Sequence, residues 1–209
     1  YKASAMLYFK TIKEASRAVV AMKKLVDETG EWTVKGAEML DYKSLSSVND
    51  PVFLKYKGEV ASSALPGVEP GDETGLTAVL TETKSPYPRK NCNRTYLPLK
   101  LACKPSPPIF RYASPTVRRI FQILGHPFRH LPLCGGTRQP GTTCLIEDIA
   151  FHIEDLPEAT AELQQLIARH GYNDACIYGH ALEGNYHFIN QPVPSVPKAE
   201  VKRYEDLNE

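Results

Sequence analysis

One nine-residue stretch holds the side chains best suited to chemistry: Gly179–His187, which reads GHALEGNYH. It places the imidazoles of His180 and His187 on either side of a glycine-containing turn, with Glu183 and Asn185 between them. A hairpin would bring the two histidines together, and neutral imidazole is the commonest protein ligand for zinc or iron. The spacing therefore predicts a metal site on His180 and His187, which would need a third ligand, such as a carboxylate, and an open position for substrate.

Two other interpretations fit the same spacing. The histidines can be ordinary polar residues of a surface hairpin, or they can bind a metal that only holds the hairpin together. Replacing His187 by alanine separates the structural metal from a catalytic one. Loss of a structural metal would cost stability, whereas loss of a catalytic metal would cost turnover with the fold retained.

Other titratable residues are weaker candidates. Glu147 and Asp148 are neighbours on a predicted strand, so they face opposite sides and cannot form an acid–base couple, although one of them could face a site. The glycine-rich stretch 135–141 lacks the spacing and the lysine of a phosphate-binding loop, so it is read as a turn. The four other histidines are assigned structural roles or no role: His152, His170, His126 and His130.

Two similar runs of elements must position the histidine pair. Residues 1–84 read as a strand at 5–9, a helix that starts at the capping box Thr11-Ile12-Lys13-Glu14 and ends by Gly30, and two further strands. Apolar residues recur along this helix at three- and four-residue steps, which is typical of an amphipathic helix. They are Ile12, Ala15, Val19, Met22 and Val26, and the two further strands are Trp32–Leu40 and Leu76–Thr83.

Residues 135–209 repeat this order. A strand at Thr143–Ile153 precedes a helix capped by Asp155, with Pro157 in its first turn and Gly171 as its stop. Each half therefore reads strand–helix–strand–strand. This pattern predicts an α+β fold with helices on one face of an antiparallel sheet, built as two ferredoxin-like repeats. The helix stripe is Leu156, Ala159, Leu163, Leu166 and Ile167, and the two closing strands are Asp174–Tyr178 and Tyr186–Ile189.

Residues 85–134 differ from both halves. They hold nine of the 25 basic residues, no acidic residue, nine of the 17 prolines and three of the five cysteines. The prolines at 105, 107, 108 and 115 predict that no strand or helix forms, so this segment reads as a flexible basic arm. Such an arm could bind nucleic acid or another acidic partner through phosphate contacts, although it has no recognisable nucleic-acid fold.

Composition narrows the class of protein. A chain of 209 residues that is 42% hydrophobic can bury the core of one domain, and it contains no apolar run of about 18 residues that could span a membrane. Five widely spaced cysteines without a C-x-x-C pair argue against a disulfide framework and a cysteine-based zinc site. A reducing cytoplasmic location is expected, free or peripheral at the inner face of the membrane.

Several of these stretches resemble one protein family. IEDIAF, LPEATAELQQLIARHGYNDA and YGHALEGNYHF in the second half, with SAMLYFKTIKEASRAVVAMKK and AEMLDYKSL in the first, are similar to the C-terminal substrate (cap) domain of FAD-linked oxidases. The nearest type is the bacterial D-lactate dehydrogenase-like proteins that also carry an iron–sulfur region. The resemblance covers about residues 1–84 and 135–209, and the G-H-x-x-[DE]-G-N-x-H motif is its most specific part.

The resemblance implies a flavoenzyme that oxidises a D-2-hydroxy acid to the 2-oxo acid and passes hydride to FAD. It assigns a divalent metal, zinc or iron, to His180 and His187, where the metal would polarise the substrate hydroxyl and carboxylate. Glu183 and Asn185 match the acid and amide of the motif and would orient the ligands. An iron–sulfur cluster would belong to the full-length protein.

The same resemblance predicts what is missing from this chain. It begins at Tyr1 without methionine, so the FAD-binding domain is expected before it, and an E-H-G-x-G segment with another ligand is expected after Glu209. The basic residue that often precedes the Asp148-Ile149 pair is not evident. The isolated chain is therefore expected to be inactive and to bind neither FAD nor metal tightly, with no nucleic acid as partner.

The family would also place a W-x-I-R-x-G-x-F-P segment just before Gly135, with its arginine as a clamp for the substrate carboxylate. The written residues 120–134, IFQILGHPFRHLPLC, do not contain it. They can be encoded so that reading one base later gives YFKYWAIRSGIFPSV, which does. We therefore interpret 85–134 as an out-of-frame reading between two compensating base errors, with the missing arginine where Pro127 is written.

Overall fold

The computed structural model describes residues 2–29, 34–41, 43–44, 77–84, 96–102, 109–112, 145–172, 175–190 and 197–209. Seven strands lie in this part of the chain: β1 Lys2–Phe9, β2 Val34–Leu40, β3 Thr77–Lys84, β4 Ile109–Tyr112, β5 Leu145–Ala150, β6 Cys176–His180 and β7 Asn185–Asn190. Its α-helices are α1 Ile12–Thr29, α2 Leu97–Ala102, α3 Leu156–Arg169 and α4 Pro197–Asn208. Short 3-10 turns are present at Ile153–Asp155 and Ala181–Glu183.

The strands form one antiparallel sheet in the order β4-β1-β3-β2-β6-β7-β5. In each half the last strand lies between the other two, as β3 lies between β1 and β2, and β7 lies between β5 and β6. The two halves join where β2 pairs with β6. The predicted α+β fold with an antiparallel sheet is confirmed, while the ferredoxin-like description of the repeats stays a prediction.

Helix α1 begins at the predicted capping box. The Glu14 amide donates to the Thr11 hydroxyl at 3.2 Å, and the Glu14 carboxylate accepts from the Lys10 amide at 3.2 Å. Its apolar stripe, including the buried Val19 and Met22, faces the sheet. The predicted amphipathic helix is therefore confirmed, and its capping follows from the sequence.

Helix α3 begins differently from the prediction. Asp155 was expected to cap it, but its side chain makes no capping hydrogen bond, because the 3-10 turn at Ile153–Asp155 continues directly into the helix. The Leu156 amide donates to the Ile153 carbonyl instead. The predicted stop is confirmed, since Gly171 has a positive φ of 78° just after the helix.

The two long helices pack side by side over one core. A hydroxyl–hydroxyl contact of 2.9 Å between Ser16 and Thr160 joins α1 to α3 in the interior, and Lys13 pairs with Glu158 at the surface. Strand residues Met39 and Ile177 belong to the same buried cluster. One face of the sheet therefore lies under the helices, as predicted.

Helix α4 adds to this core although no pattern in the sequence predicted it. Its Leu207 is buried in the same cluster, and its Arg203 guanidinium lies 4.3 Å from the centre of the Tyr172 ring. Within the described ranges no helix combines the length and apolar character needed to cross a membrane.

The expectation that 85–134 forms no helix or strand was wrong for two short elements. Helix α2 buries Leu99, with Tyr96 buried just before it, and β4 pairs with β1 at the edge of the sheet. The prolines at 105, 107, 108 and 115 lie between and beyond these elements, while Pro98 is the second residue of α2, where its missing amide is not needed. Proline here delimits the elements and does not abolish them.

Strand bounds differ by a few residues from those predicted. The strand expected over Thr143–Ile153 ends at Ala150, because the chain turns there and the Phe151 amide donates to the Gly184 carbonyl at 3.0 Å. Strand β6 runs to His180, two residues further than expected. The predicted loops at 66–75 and 135–141, together with His126, Pro127 and His130, lie outside the described residues.

Candidate functional site

The motif GHALEGNYH folds as a tight connection between two antiparallel strands. It comprises the end of β6, the 3-10 turn Ala181–Glu183, and the start of β7. Gly184 has a φ of 69°, and a Cβ there would lie 2.3 Å from the Phe151 carbonyl oxygen. A side chain at this position would be strained and would clash with backbone, so the glycine is required by the turn.

The hairpin brings the two histidines together, as the spacing predicted. The ring centroids of His180 and His187 lie 5.8 Å apart and the ring planes are nearly perpendicular, at 83°. In the sheet register His180 is opposite Asn185 and His187 is opposite Tyr178. The two imidazoles therefore lie in adjacent rows on the same face of the sheet.

This face points away from the helices. Met39 contacts Ser16 of α1, so its neighbours in β2, Glu38 and Leu40, project to the other side. We call that side the far face. By register and alternation it carries Glu38, Leu40, Tyr178, His180, Asn185, His187, Asp148 and Ala150.

His180 is held by a carboxylate from the other half of the chain. Glu38, directly opposite on β2, lies 2.8 Å from His180 Nδ1 through its Oε1. The Glu38 side chain is 19% exposed and that of His180 is 53% exposed. Burial raises the pKa of the Glu38 carboxyl above its ordinary value, while the His180 imidazole acts in the opposite direction and the nearby Glu183 raises it further.

His187 is held in the same way by Asp148. Its Nδ1 contacts the Asp148 Oδ1, and the two residues are opposite each other on β7 and β5. The Tyr178 ring lies 5.2 Å from the His187 ring. In the register, Glu147 is opposite Phe188, one position along from the Asp148–His187 pair.

The remaining predicted residues have different surroundings. Glu183 is exposed in the 3-10 turn, and Asn185 is opposite His180 at the start of β7. Where the structure describes the chain, the side-chain partners of the two imidazoles are Glu38 and Asp148, and an orienting role for Glu183 and Asn185 stays a prediction.

Two other histidines lie at ends of elements. His152 precedes the 3-10 turn at 153–155, and His170 follows α3.

Sequence reasoning missed Glu38. The signal was a single acidic residue in an otherwise apolar strand, Ala37-Glu38-Met39-Leu40, but the sequence does not show which strand pairs with β2. Glu38 also affects a residue on the opposite side of the sheet, since burial first and the Glu38 charge second raise the pKa of the fully buried Tyr186 phenol.

The two imidazoles have the chemistry of metal ligands, but they are not a complete set. Metal-bound histidines usually hold their other ring nitrogen on a carboxylate or carbonyl, and both histidines here do so. A catalytic zinc usually has three protein ligands. No group of three or more His, Cys, Asp or Glu among the residues described here is placed to hold a metal ion. The described part of the chain thus offers two donors.

The histidine hairpin lies in a part of the chain that matches a protein-family model. Residues 116–208 match the model described as FAD linked oxidases, C-terminal domain. This part of the chain, less than half of its length, is thus similar to the C-terminal domain of FAD-linked oxidases. The match contains the whole histidine hairpin and begins inside the segment 85–134, whose frame-shift interpretation stays a prediction.

Solved structures with the same fold include enzymes of varied chemistry. One is alkyldihydroxyacetonephosphate synthase, with 12% sequence identity and a TM-score of 0.60. The matched region covers 99% of this chain and 38% of the synthase chain. Another is the 4-ethylphenol oxidase from Gulosibacter chungangensis in complex with isoeugenol, with 13% sequence identity and a TM-score of 0.58. The matched region covers 99% of this chain and 43% of the oxidase chain.

A third structure, p-cresol methylhydroxylase with substrate bound, is 10% identical with a TM-score of 0.55, covering 99% of this chain and 42% of its own. At such identities the likeness establishes the fold. The chain spans about two fifths of the length of these proteins. A search of curated protein sequences finds no significant match.

Proposed function

We propose that this chain is the substrate-facing domain of an FAD-dependent oxidoreductase that oxidises a D-2-hydroxy acid, such as D-lactate, to the 2-oxo acid. The observation that carries the proposal is the pair of imidazoles on the far face, His180 and His187, each with Nδ1 on a carboxylate. The family-model match over residues 116–208 supports the FAD chemistry. The substrate class rests on the histidine pair.

The reaction removes a proton and a hydride from the substrate. The hydroxyl loses a proton to a base, and Cα loses a hydride, for which bound FAD supplies the acceptor. A carboxylate accepts hydrogen bonds, so an imidazole whose Nδ1 donates to it has an Nε2 that can take a proton or bind an electrophile. His180 has this hydrogen bond with Glu38, and His187 Nδ1 contacts the Asp148 Oδ1. The two ring centroids lie 5.8 Å apart, close enough for both rings to act on one small substrate.

The same nitrogens fit a divalent metal, provided that a third ligand comes from elsewhere in the protein. Imidazole suits zinc and iron, and a metal there would polarise the hydroxyl and carboxylate of the substrate. His180 and His187 would hold it through Nε2, while Glu38 and Asp148 keep the rings in place. Because only these two donors are proposed from this chain, we expect the chain to bind metal weakly until the rest of the site is present.

The relatives of known structure do not select the substrate. Two of them are a 4-ethylphenol oxidase and a p-cresol methylhydroxylase, and a third is a synthase, so this fold serves several reactions. A polar hydroxy acid, unlike a phenol, carries a carboxylate that a cationic site can bind. The paired imidazoles with their metal would provide that positive charge.

Turnover of D-lactate by the full-length protein that carries this chain tests the proposal. We expect His187→Ala to lower kcat by about a hundredfold or more, as loss of an acid–base or metal-binding group does. The matched control is His152→Ala, since His152 is exposed and lies before a turn outside the hairpin. Equal turnover by the two variants would refute the proposal, and equal melting temperatures would rule out a purely structural metal.

Further parts of the proposal concern the whole protein. We expect the FAD-binding domain to be its main partner, and an iron–sulfur cluster to lie in another region. A cytoplasmic location is also proposed. Titration of this chain alone with FAD should show no tight, stoichiometric uptake, and such uptake would contradict the division of roles between the domains.

A further inference from the structure

Among the described residues, Glu38 is the charged side chain that the first half of the chain contributes to the site. It lies on β2, the strand through which the first half pairs with β6 of the second. Its neighbours Ala37 and Met39 are buried under the helices, whereas Glu38 projects to the far face. The site is thus built across the junction of the two halves.

The contact between Glu38 and His180 has the geometry of an orienting hydrogen bond. The 2.8 Å distance from Oε1 to Nδ1 lies within the range of charge-assisted bonds, and an ionised carboxylate can only accept, so Nδ1 must be the donor. Glu38 is mostly buried while His180 is half exposed. The carboxylate is therefore the fixed partner, and the ring is the group that it orients.

The same arrangement on the next row argues against a chance contact. Four adjacent strands, β2, β6, β7 and β5, carry in order a carboxylate, an imidazole, an imidazole and a carboxylate: Glu38, His180, His187 and Asp148. Each carboxylate lies on the outer side of its imidazole and each contacts Nδ1. In both rings the carboxylate contacts Nδ1, so Nε2 is the nitrogen that can bind a metal or a substrate proton.

The geometry points to Glu38 as the positioning residue of His180, which holds the imidazole in the tautomer with the proton on Nδ1 and leaves Nε2 as the acceptor. This inference rests on the proposed function for its purpose, because an Nε2 acceptor is what a metal or a substrate proton requires. A merely structural carboxylate would leave the tautomer of His180 unchanged when removed.

Nuclear magnetic resonance of the ¹⁵N-labelled chain tests the tautomer directly. Long-range ¹H–¹⁵N correlations at pH 8 show which ring nitrogen carries the proton, and His180→Gln identifies the His180 signals. We expect His180 to be mainly in the Nδ1–H form. In Glu38→Leu the Nδ1–H form of His180 should become the minor tautomer. In Glu38→Gln, whose amide oxygen can still accept a hydrogen bond, it should remain the major one.

Internal controls separate loss of positioning from loss of fold. The His187 signals should keep their tautomer in Glu38→Leu, and Asp148→Leu should change His187 but not His180. If Glu38→Leu does not fold, Glu38→Asp serves instead, since the shorter side chain keeps the charge and loses the 2.8 Å contact. An unchanged His180 tautomer in the folded variant would overturn the inference.

The measurement requires neither FAD, metal nor substrate, so its failure differs from failure of the proposed function. A shifted tautomer with normal turnover of His187→Ala would uphold the positioning role and refute the hydroxy-acid oxidase. Metal affinity of the full-length protein gives a second readout. Loss of an orienting carboxylate usually weakens metal binding by about 10- to 100-fold, and Glu38→Gln should recover most of it.

Discussion

Gly179 and Tyr186 lie so close across the hairpin that residue 179 has no room for a side chain. A Cβ on Gly179 would be 2.7 Å from the Tyr186 Cα, 3.0 Å from its ring carbon Cδ1 and 2.3 Å from the Asn185 carbonyl oxygen. Two of these neighbours are backbone atoms of the paired strand, which cannot move without shifting His187. The first glycine of the motif thus allows β6 and β7 to approach while the two imidazoles remain adjacent.

Gly179→Ala should therefore destabilise the protein by about 1–3 kcal/mol, the usual cost of forcing extra volume into a packed region. Gly36→Ala is the matched control, since no atom of the described residues lies within 4 Å of a Cβ at that position in β2. Urea unfolding of both variants measures the difference. Equal stability of the two would show that the hairpin accommodates a methyl group, and the steric account would be wrong.

The hairpin was predictable because its signals are local, whereas the orientation of its histidines was not. Two glycines and two histidines within nine residues fix a turn and a separation. Glu38 is 142 residues away from His180 in sequence, and only the pairing of β2 with β6 brings them together. The helices were predictable for the same local reason, through their apolar steps and capping residues.

The buried cluster around Asp41 gives a pH dependence that can be measured. Its carboxylate accepts from the Ser44 amide at 2.8 Å, the Ser44 hydroxyl at 2.7 Å and the Ile177 amide at 2.9 Å. Burial raises the pKa of Asp41 above its ordinary value of 3.8, and these hydrogen bonds oppose the rise. The folded protein consequently binds this proton more tightly than the unfolded chain.

The Asp41 contribution to stability should be fully present below about pH 4 and decline as the pH rises through the raised folded pKa. The free energy of unfolding of the native protein should then exceed that of Asp41→Asn by more at pH 4 than at pH 7. The comparison cancels the effect of Glu38, whose pKa is raised in both proteins. Denaturant unfolding at the two pH values measures this difference, and an advantage that grows with pH would contradict the sign.

Ser16 and Thr160 should show energetic coupling between α1 and α3. Ser16 Oγ lies 2.9 Å from the Ile12 carbonyl, Thr160 Oγ1 lies 2.6 Å from the Leu156 carbonyl, and the two hydroxyls lie 2.9 Å apart. Two hydroxyl protons can serve only two of these three contacts, so a hydrogen bond between the hydroxyls requires one of them to donate to the other in place of its own carbonyl. Removing one partner therefore changes the hydrogen bonding of the other.

A double-mutant cycle measures this coupling. Each of Ser16→Ala and Thr160→Val should cost about 1 kcal/mol, and the double variant should cost less than the two together by about 0.5 kcal/mol or more. The comparison is made by urea unfolding at constant pH. Strict additivity would mean that the two hydroxyls do not share a hydrogen bond.

The written sequence of 85–134 can be tested on the protein itself. The frame-shift interpretation predicts that tryptic digestion of the natural protein yields YWAIR and no peptide that contains KPSPPIFR, which is written at Lys104–Arg111. The structure sharpens the test, because Ile109, Phe110 and Arg111 of that peptide pair with β1 at the edge of the sheet. Intact mass and peptide sequencing by mass spectrometry decide between the two. Recovery of a peptide that contains KPSPPIFR would show that the written segment is real and that β4 belongs to the natural protein. The carboxylate of the proposed substrate would then need a partner other than the expected arginine.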